Sequence, residues 1–224
     1  MKNSKEHAQR LQRLYRELKR AHPEVERTTY EDPVEALICG IISERVTEAA
    51  AQKAFREISK AFVDWNDLRV SRVEEVAEAL GRKTVTGRAT AMTLTAVLRC
   101  IFDEHHKISL QILKKLGKRP ARQDLEKIDG ISRFVINYCL LTSLEAHAIP
   151  VTEQMAGYLK QNGIIDANAD EEDLEGFLTR CVSAKDAYEF YTLLRRESES
   201  PKMMKKKPKG RSRPKEGKKD GSKR

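Results

Sequence analysis

The chain is predicted to be all-α, and three observations carry that prediction. Apolar residues recur at helical spacing through most of residues 1–196. No stretch sustains the polar–apolar alternation of a half-buried strand. Capping residues and glycines fall at intervals that suit helix boundaries.

Taken in order, Ser4 is placed to cap a first helix whose Leu11, Leu14, Tyr15 and Leu18 share a face. Asp32 followed by Pro33 reads as an N-cap and a first-turn proline, opening an apolar helix through residue 42. Thr47 is expected to cap a helix over residues 48–62. Ser71 is expected to cap another over 72–80, ended by Gly81. Residues 86–106 predict a longer helix with Ala89, Met92, Leu94, Val97 and Ile101 on a wide apolar face. A short helix over 110–116 is expected to stop at Gly117, and two helices then flank Asp129-Gly130. Helices over 152–161, 170–181 and 184–198 complete the body. The acidic run Asp170, Glu171, Glu172, Asp173 suits a helix N-terminus, where the dipole favours negative charge.

The net charge of +9 points to a polyanionic partner, but its placement narrows the inference. Residues 197–224 hold 12 Lys/Arg and 4 Asp/Glu, whereas residues 1–196 hold 31 and 30. The body is therefore almost neutral, and the excess belongs to the C-terminal segment. Residues 201–224 contain no Leu, Ile, Val or aromatic residue and are expected to be disordered. Lys205, Lys206, Lys207, Lys209, Arg211 and Arg213 would bind phosphates by releasing counterions, on DNA or on RNA.

The four cysteines are Cys39, Cys100, Cys139 and Cys181, too scattered for a CxxC or a zinc site, so free thiols, no metal and no cofactor are expected. His105 and His106 do not share a helix face and suggest no metal site either. The longest apolar run, residues 36–42, falls far short of the roughly 18 residues of a membrane span. The polar N-terminus cannot serve as a secretory segment, so the expected location is the cytoplasm, in association with the nucleoid if the source is bacterial.

Residues 125–136, LEKIDGISRFVI, carry the most information. An apolar pair three residues apart runs into Asp-Gly-Ile-Ser, and a second apolar helix follows. That is the outline of a helix-hairpin-helix, in which N–H groups at the start of the second helix hold a phosphate. Gly130 lets the sugar-phosphate approach the main chain, Ile131 is expected to anchor the turn, and Ser132 to cap the second helix. Taken alone, the pattern also fits an ordinary αα-hairpin with a glycine turn.

With its surroundings, this segment resembles the helix-hairpin-helix DNA glycosylases of base-excision repair, endonuclease III in particular, over residues 30–196. Ile41-Ile42-Ser43-Glu44-Arg45-Val46-Thr47-Glu48 is similar to the family's LLSAQATD. Ile128 to Ile136 is similar to its LPGVGRKTA, and Val151-Thr152-Glu153-Gln154 to its VDTH. The resemblance implies a two-lobed helical fold. A six-helix barrel would span 33–147, with the hairpin at about 122–144, and a second lobe would combine 1–32 with 148–198, leaving 199–224 as the basic tail. DNA would lie in the cleft between the lobes.

The resemblance also implies a lysine nucleophile and an assisting aspartate. Phe134 stands at the lysine position and Thr152 at the aspartate position. Neither side chain can do that chemistry, so no catalytic residue is assigned. Glu153 is expected to aim elsewhere, because one residue along a helix turns a side chain by about 100°. Lys127 lies on the wrong helix. The family's iron–sulfur cluster needs four closely spaced cysteines, and only Cys181 lies in that region. Arg45 replaces the family's glutamine wedge, and Asp129 either weakens a phosphate site or caps local N–H groups.

The expected DNA-contacting set is Gly130, Ile131, Ser132, Arg133, Arg45 and Arg88. The expected function is that of a DNA-binding relative without glycosylase or abasic-site lyase activity. The alternatives are an active repair enzyme using non-standard residues and a protein-interaction scaffold on the same fold.

Overall fold

The structure, a computed structural model, describes residues 4–22, 24–81 and 84–200. The tail cations Lys205, Lys206, Lys207, Lys209, Arg211 and Arg213 lie outside the described residues, as does the side chain of Ser4. The described residues form eleven α-helices and one 3-10 helix, with no strand among them.

Two helices make the centre. Ten of the eleven residues of α2 (Pro33–Ser43) and nine of the ten of α8 (Arg133–Thr142) are buried, as their near-continuous apolar sequences require. They pack closely at Gly40, where an added Cβ would sit 3.3 Å from the Tyr138 ring and 3.4 Å from Val135. Asp32 caps α2 as expected, accepting from Val34 N–H at 3.0 Å, and the same carboxylate accepts from Leu110 N–H at 3.0 Å.

Around this pair lie α3 (Glu48–Ala61), α4 (Trp65–Val70), α5 (Val73–Ala79), α6 (Val85–His105), the 3-10 helix Gln111–Lys115 and α7 (Lys118–Glu126). The N-terminal helix α1 (Ser4–Ala21) crosses the sequence to pack on α10 (Glu171–Cys181) and α11 (Ala187–Ser198), while α9 (Glu153–Gln161) also rests on α11. Leu11, Leu14, Tyr15 and Leu18 form the buried face of α1, and Tyr15 Oη donates to Glu189 at 2.5 Å.

Several boundaries differ from the sequence reading for physical reasons. Ser71 closes α4, a helix the sequence reading omits, by donating its hydroxyl to Asp67 O at 2.8 Å. The next helix is instead supported by Glu75, which accepts from Arg72 N–H at 3.2 Å. Thr47 makes no side-chain cap; the carboxylate of Glu199, distant in sequence, takes Glu48 N–H at 2.9 Å. Thr84, not Thr86, sets the start of α6 by accepting from Gly87 N–H at 3.2 Å. Gly117 begins α7 instead of ending its predecessor, which places Pro120 in a first turn where its missing N–H costs nothing. Helix α11 starts at Ala187, after a turn in which Ala187 N–H donates to Ala184 O at 3.4 Å. The four cysteines are free, as expected; Cys39 and Cys139 are buried, and Cys100 and Cys181 are half-buried.

Candidate functional site

The hairpin joins α7 to α8 through a turn in which Gly130 has φ +86°, a conformation that strains any residue with a side chain. No atom lies within 4 Å of the Cβ position there, so the backbone faces open space. Leu125 and Ile128 are the buried anchors of the turn. Ile131, expected to anchor it, is only half-buried, because the chain has already turned outward at Gly130. Ser132 caps α8 as expected, accepting from Val135 N–H at 3.3 Å. The earlier N–H groups of the first turn have no partners within the helix and remain available to an anion. Asp129 is exposed.

Beside the hairpin opens a cleft of about 690 Å³. Its walls come from the starts of α8, α9 and α10 and from the loop after α2. It brings together Arg45, Ser132, Arg133, Phe134 and Thr152 from the sequence-predicted set. An adjoining hollow of about 300 Å³ joins Arg45 to Gly130, Ile131 and Ser132. Arg88 is not part of either and pairs with Glu74 at 3.0 Å.

Phe134 is 5% exposed. Its ring stacks on Tyr138 at 6.0 Å, and the Arg195 guanidinium sits 5.6 Å from its centroid. Thr152 is the N-cap of α9, its hydroxyl oxygen accepting from Met155 N–H at 3.2 Å. The oxygen at the position where the resemblance implies an aspartate therefore serves as a cap.

Glu153 lies on the cleft wall, contrary to the sequence expectation. The reason is local. Thr152 has extended backbone angles (φ −78°, ψ 160°), so the helical rotation per residue does not apply between it and Glu153.

Charge inside the cleft is not what a phosphate track needs. Glu44, Glu153, Glu171 and Glu175 line it against Arg45 and Arg133. Arg133 is engaged by Glu175 at 3.5 Å and Glu172 at 3.7 Å, and Arg45 by Glu44 at 3.9 Å. Cationic attraction for a phosphate is thus spent within the wall, whereas the hairpin turn stays open.

The sequence reading missed two groups. Asn137 is 3% exposed, lies on the cleft floor one helical turn beyond Phe134, and accepts from Arg122 Nη2 at 2.7 Å. A lone amide inside FVINYCLL was the available signal. Arg195, 1% exposed, is the other. It donates to Ser43 O at 2.6 Å, Val46 O at 2.9 Å, Tyr191 Oη at 2.7 Å and Glu199 at 2.8 Å, with Glu48 at 3.3 Å. Burial opposes its charge, but Tyr191, Glu48 and Glu199 outweigh that and hold its pKa above the ordinary value. Around it, burial raises the phenol pKa values of Tyr30, Tyr138 and Tyr191. This network fixes the loop that carries Arg45 and the floor beneath Phe134.

Among the described residues, no group of three or more His, Cys, Asp or Glu could hold a metal ion, and no helix is long and apolar enough to cross a membrane.

No protein-family model matches the chain. A provisionally named DNA glycosylase of Arabidopsis thaliana is 20% identical over 167 residues, covering 75% of this chain and 57% of the relative. The chain thus spans little more than half of that protein's length. Among solved structures, a trapped covalent intermediate of endonuclease III with DNA superposes with a TM-score of 0.67, 16% identity and 84% of each chain covered. The 8-oxoguanine glycosylase/lyase of Clostridium acetobutylicum in complex with DNA gives a TM-score of 0.65 at 16% identity, covering 87% of this chain and 69% of that one. A thermostable thymine-DNA glycosylase gives 0.64 at 13% identity, covering 88% and 92%.

Proposed function

We propose that this chain, which has the helical fold of the endonuclease III-like DNA glycosylases, binds DNA through its hairpin without cleaving glycosidic bonds or abasic sites. The observation that carries this reading is the pair at the cleft. Phe134 offers no lone pair, and Thr152 commits its oxygen to capping α9. The cleft would lie between a barrel lobe of 33–147 and a second lobe of 1–32 with 148–198. Gly130, Ser132 and the first-turn N–H groups of α8 would grip backbone phosphate, with Arg45 beside them. The basic segment would add sequence-independent affinity for DNA, and RNA would attract it too.

Borohydride trapping on an abasic duplex tests the chemistry. No covalent adduct is expected, and an adduct abolished by replacing a single lysine overturns the proposal. Binding of residues 1–200 to duplex DNA tests the hairpin. Gly130→Lys is expected to weaken that binding, because a side chain at φ +86° strains the turn and obstructs the approach. Absence of any affinity at low salt would leave only the tail as a binder.

A second reading has one observation in its favour: Glu153 faces the same cleft as Phe134 and could assist slow base release. Single-turnover base release that is present in the parent and absent in Glu153→Gln would establish it.

A further inference from the structure

We infer that α10 carries an autoinhibitory contact, in which the Glu175 carboxylate holds Arg133 where a backbone phosphate would; this rests on the DNA-binding reading above and specifies how that site is regulated. Arg133 is the first residue of α8, next to the cap at Ser132 and three residues past the open turn at Gly130. Its positive charge is already engaged. Nη1 lies 3.5 Å from Glu175 Oε2, and Nη2 lies 3.7 Å from Glu172 Oε2. The other Glu175 oxygen, Oε1, accepts from Arg122 Nη2 at 3.1 Å. One carboxylate therefore bridges two guanidinium groups, Arg122 of α7 and Arg133 of α8, with a separate oxygen for each. A phosphodiester offers guanidinium groups the same pair of anionic oxygens.

The two arginines differ in how firmly they are held. Arg122 also donates to Asn137 Oδ1 at 2.7 Å and lies 3.8 Å from Glu126, so it keeps partners when Glu175 leaves. The partners of Arg133 among the described residues are the two glutamates of α10. Arg133 is 47% exposed in its side chain and Glu172 84%, so water screens these pairs and a phosphate can take their place. DNA arriving at the hairpin finds Arg133 competent for only the fraction of time that α10 releases it, and its apparent affinity falls by that fraction. Helix α10 also brings Glu171 to the cleft wall, where it has no ion pair among the described residues. Glu171 repels DNA without engaging Arg133, which makes it the control for plain repulsion.

The test is binding of a labelled DNA duplex by the full chain, followed by fluorescence anisotropy over a range of salt. Glu172→Gln together with Glu175→Gln leaves an oxygen for Arg122 and removes both negative charges beside Arg133. Affinity is expected to rise about two- to fivefold over the parent, the range of one exposed ion pair. The slope of log affinity against log salt is expected to steepen by about 0.9, the value of one further phosphate contact. Adding Arg133→Gln to the double variant is expected to abolish both changes, and Glu171→Gln alone is expected to reproduce neither. A gain that survives Arg133→Gln, or that Glu171→Gln matches, overturns the inference, as does the absence of any gain. Should the double variant not fold, Glu172→Gln alone, at the exposed end of the contact, is read in the same way. Gly130→Lys tells the two readings apart. If it binds as the parent does, the hairpin does not touch DNA and the DNA-binding reading itself fails. If it weakens binding while the double variant gains nothing, only the contact from α10 fails.

Discussion

Replacing Arg195 with methionine removes a cation whose three nitrogens are all engaged. The side chain is 1% exposed and links α11 to the end of α2, the start of α3 and Glu199. Methionine fills much of the space, so the loss is chiefly electrostatic. Breaking a buried pair by deleting one partner costs about 3–5 kcal/mol, because the surviving charge is left without compensation. Glu48 is 28% exposed in its side chain and Glu199 12%, so water relieves part of that penalty. Two carbonyls, of Ser43 and Val46, also lose their donor. A net loss of about 3 kcal/mol follows, against a total stability of about 5–15 kcal/mol for a domain. At about 2–4 °C per kcal/mol for a chain of this size, the melting temperature is expected to fall by about 6–12 °C. Urea unfolding followed by circular dichroism measures the free energy, and Arg195→Lys should lie between parent and Arg195→Met. A loss below about 1 kcal/mol for Arg195→Met, the value of an exposed pair, would refute the reasoning.

The other expectations concern the turn, the acid limb and the missing chemistry. Gly130→Ala places a Cβ at φ +86° where nothing obstructs it, so only the backbone penalty of about 1–2 kcal/mol is expected, measurable by urea unfolding. Glu189 is pulled both ways: burial raises its pKa, but the hydrogen bonds from Lys19 and Tyr15 prevail and hold it below the ordinary 4.5. A depressed folded-state pKa means its contribution is present above 4.5 and is lost as pH falls through the lower folded value. Stability measured from pH 6 to about pH 3 should therefore lose less on the acid side in Glu189→Gln than in the parent. The double change Phe134→Lys with Thr152→Asp restores an amine and a carboxylate at the cleft while aspartate still caps α9. Borohydride adducts on abasic DNA are expected from it and not from the parent. Their absence in a folded double variant would show that the cleft differs from a lyase site by more than these two side chains.

Much of the fold was legible because it depends on local rules. Asp32-Pro33 announced α2, Ser132 announced α8, and the acidic run at 170–173 announced α10, each through groups only a few residues away. The boundaries that moved were those decided at long range. Thr47 lost its capping role to Glu199, 152 residues later, and Ser71 bonded backward into a helix whose six residues carry too little periodicity to read. At the site, the side chains at positions 134 and 152 needed only alignment with a motif. Asn137, Arg122 and Arg195 needed three dimensions, since Arg122 reaches Asn137 across the hairpin and Arg195 reaches α2 from α11. Glu153 was misread because its neighbour is not helical, which no periodicity rule can register.

The anchoring of Glu199 also couples parts of the chain that are far apart in sequence. The carboxylate of Glu199 caps α3, Gln154 holds Ser198 O at 2.7 Å, and Arg195 holds Val46 O next to Arg45. The end of α11 is therefore tied to both α3 and α9. Replacing Glu199 would therefore loosen the start of α3 and the loop that carries Arg45 together, although neither adjoins it in sequence.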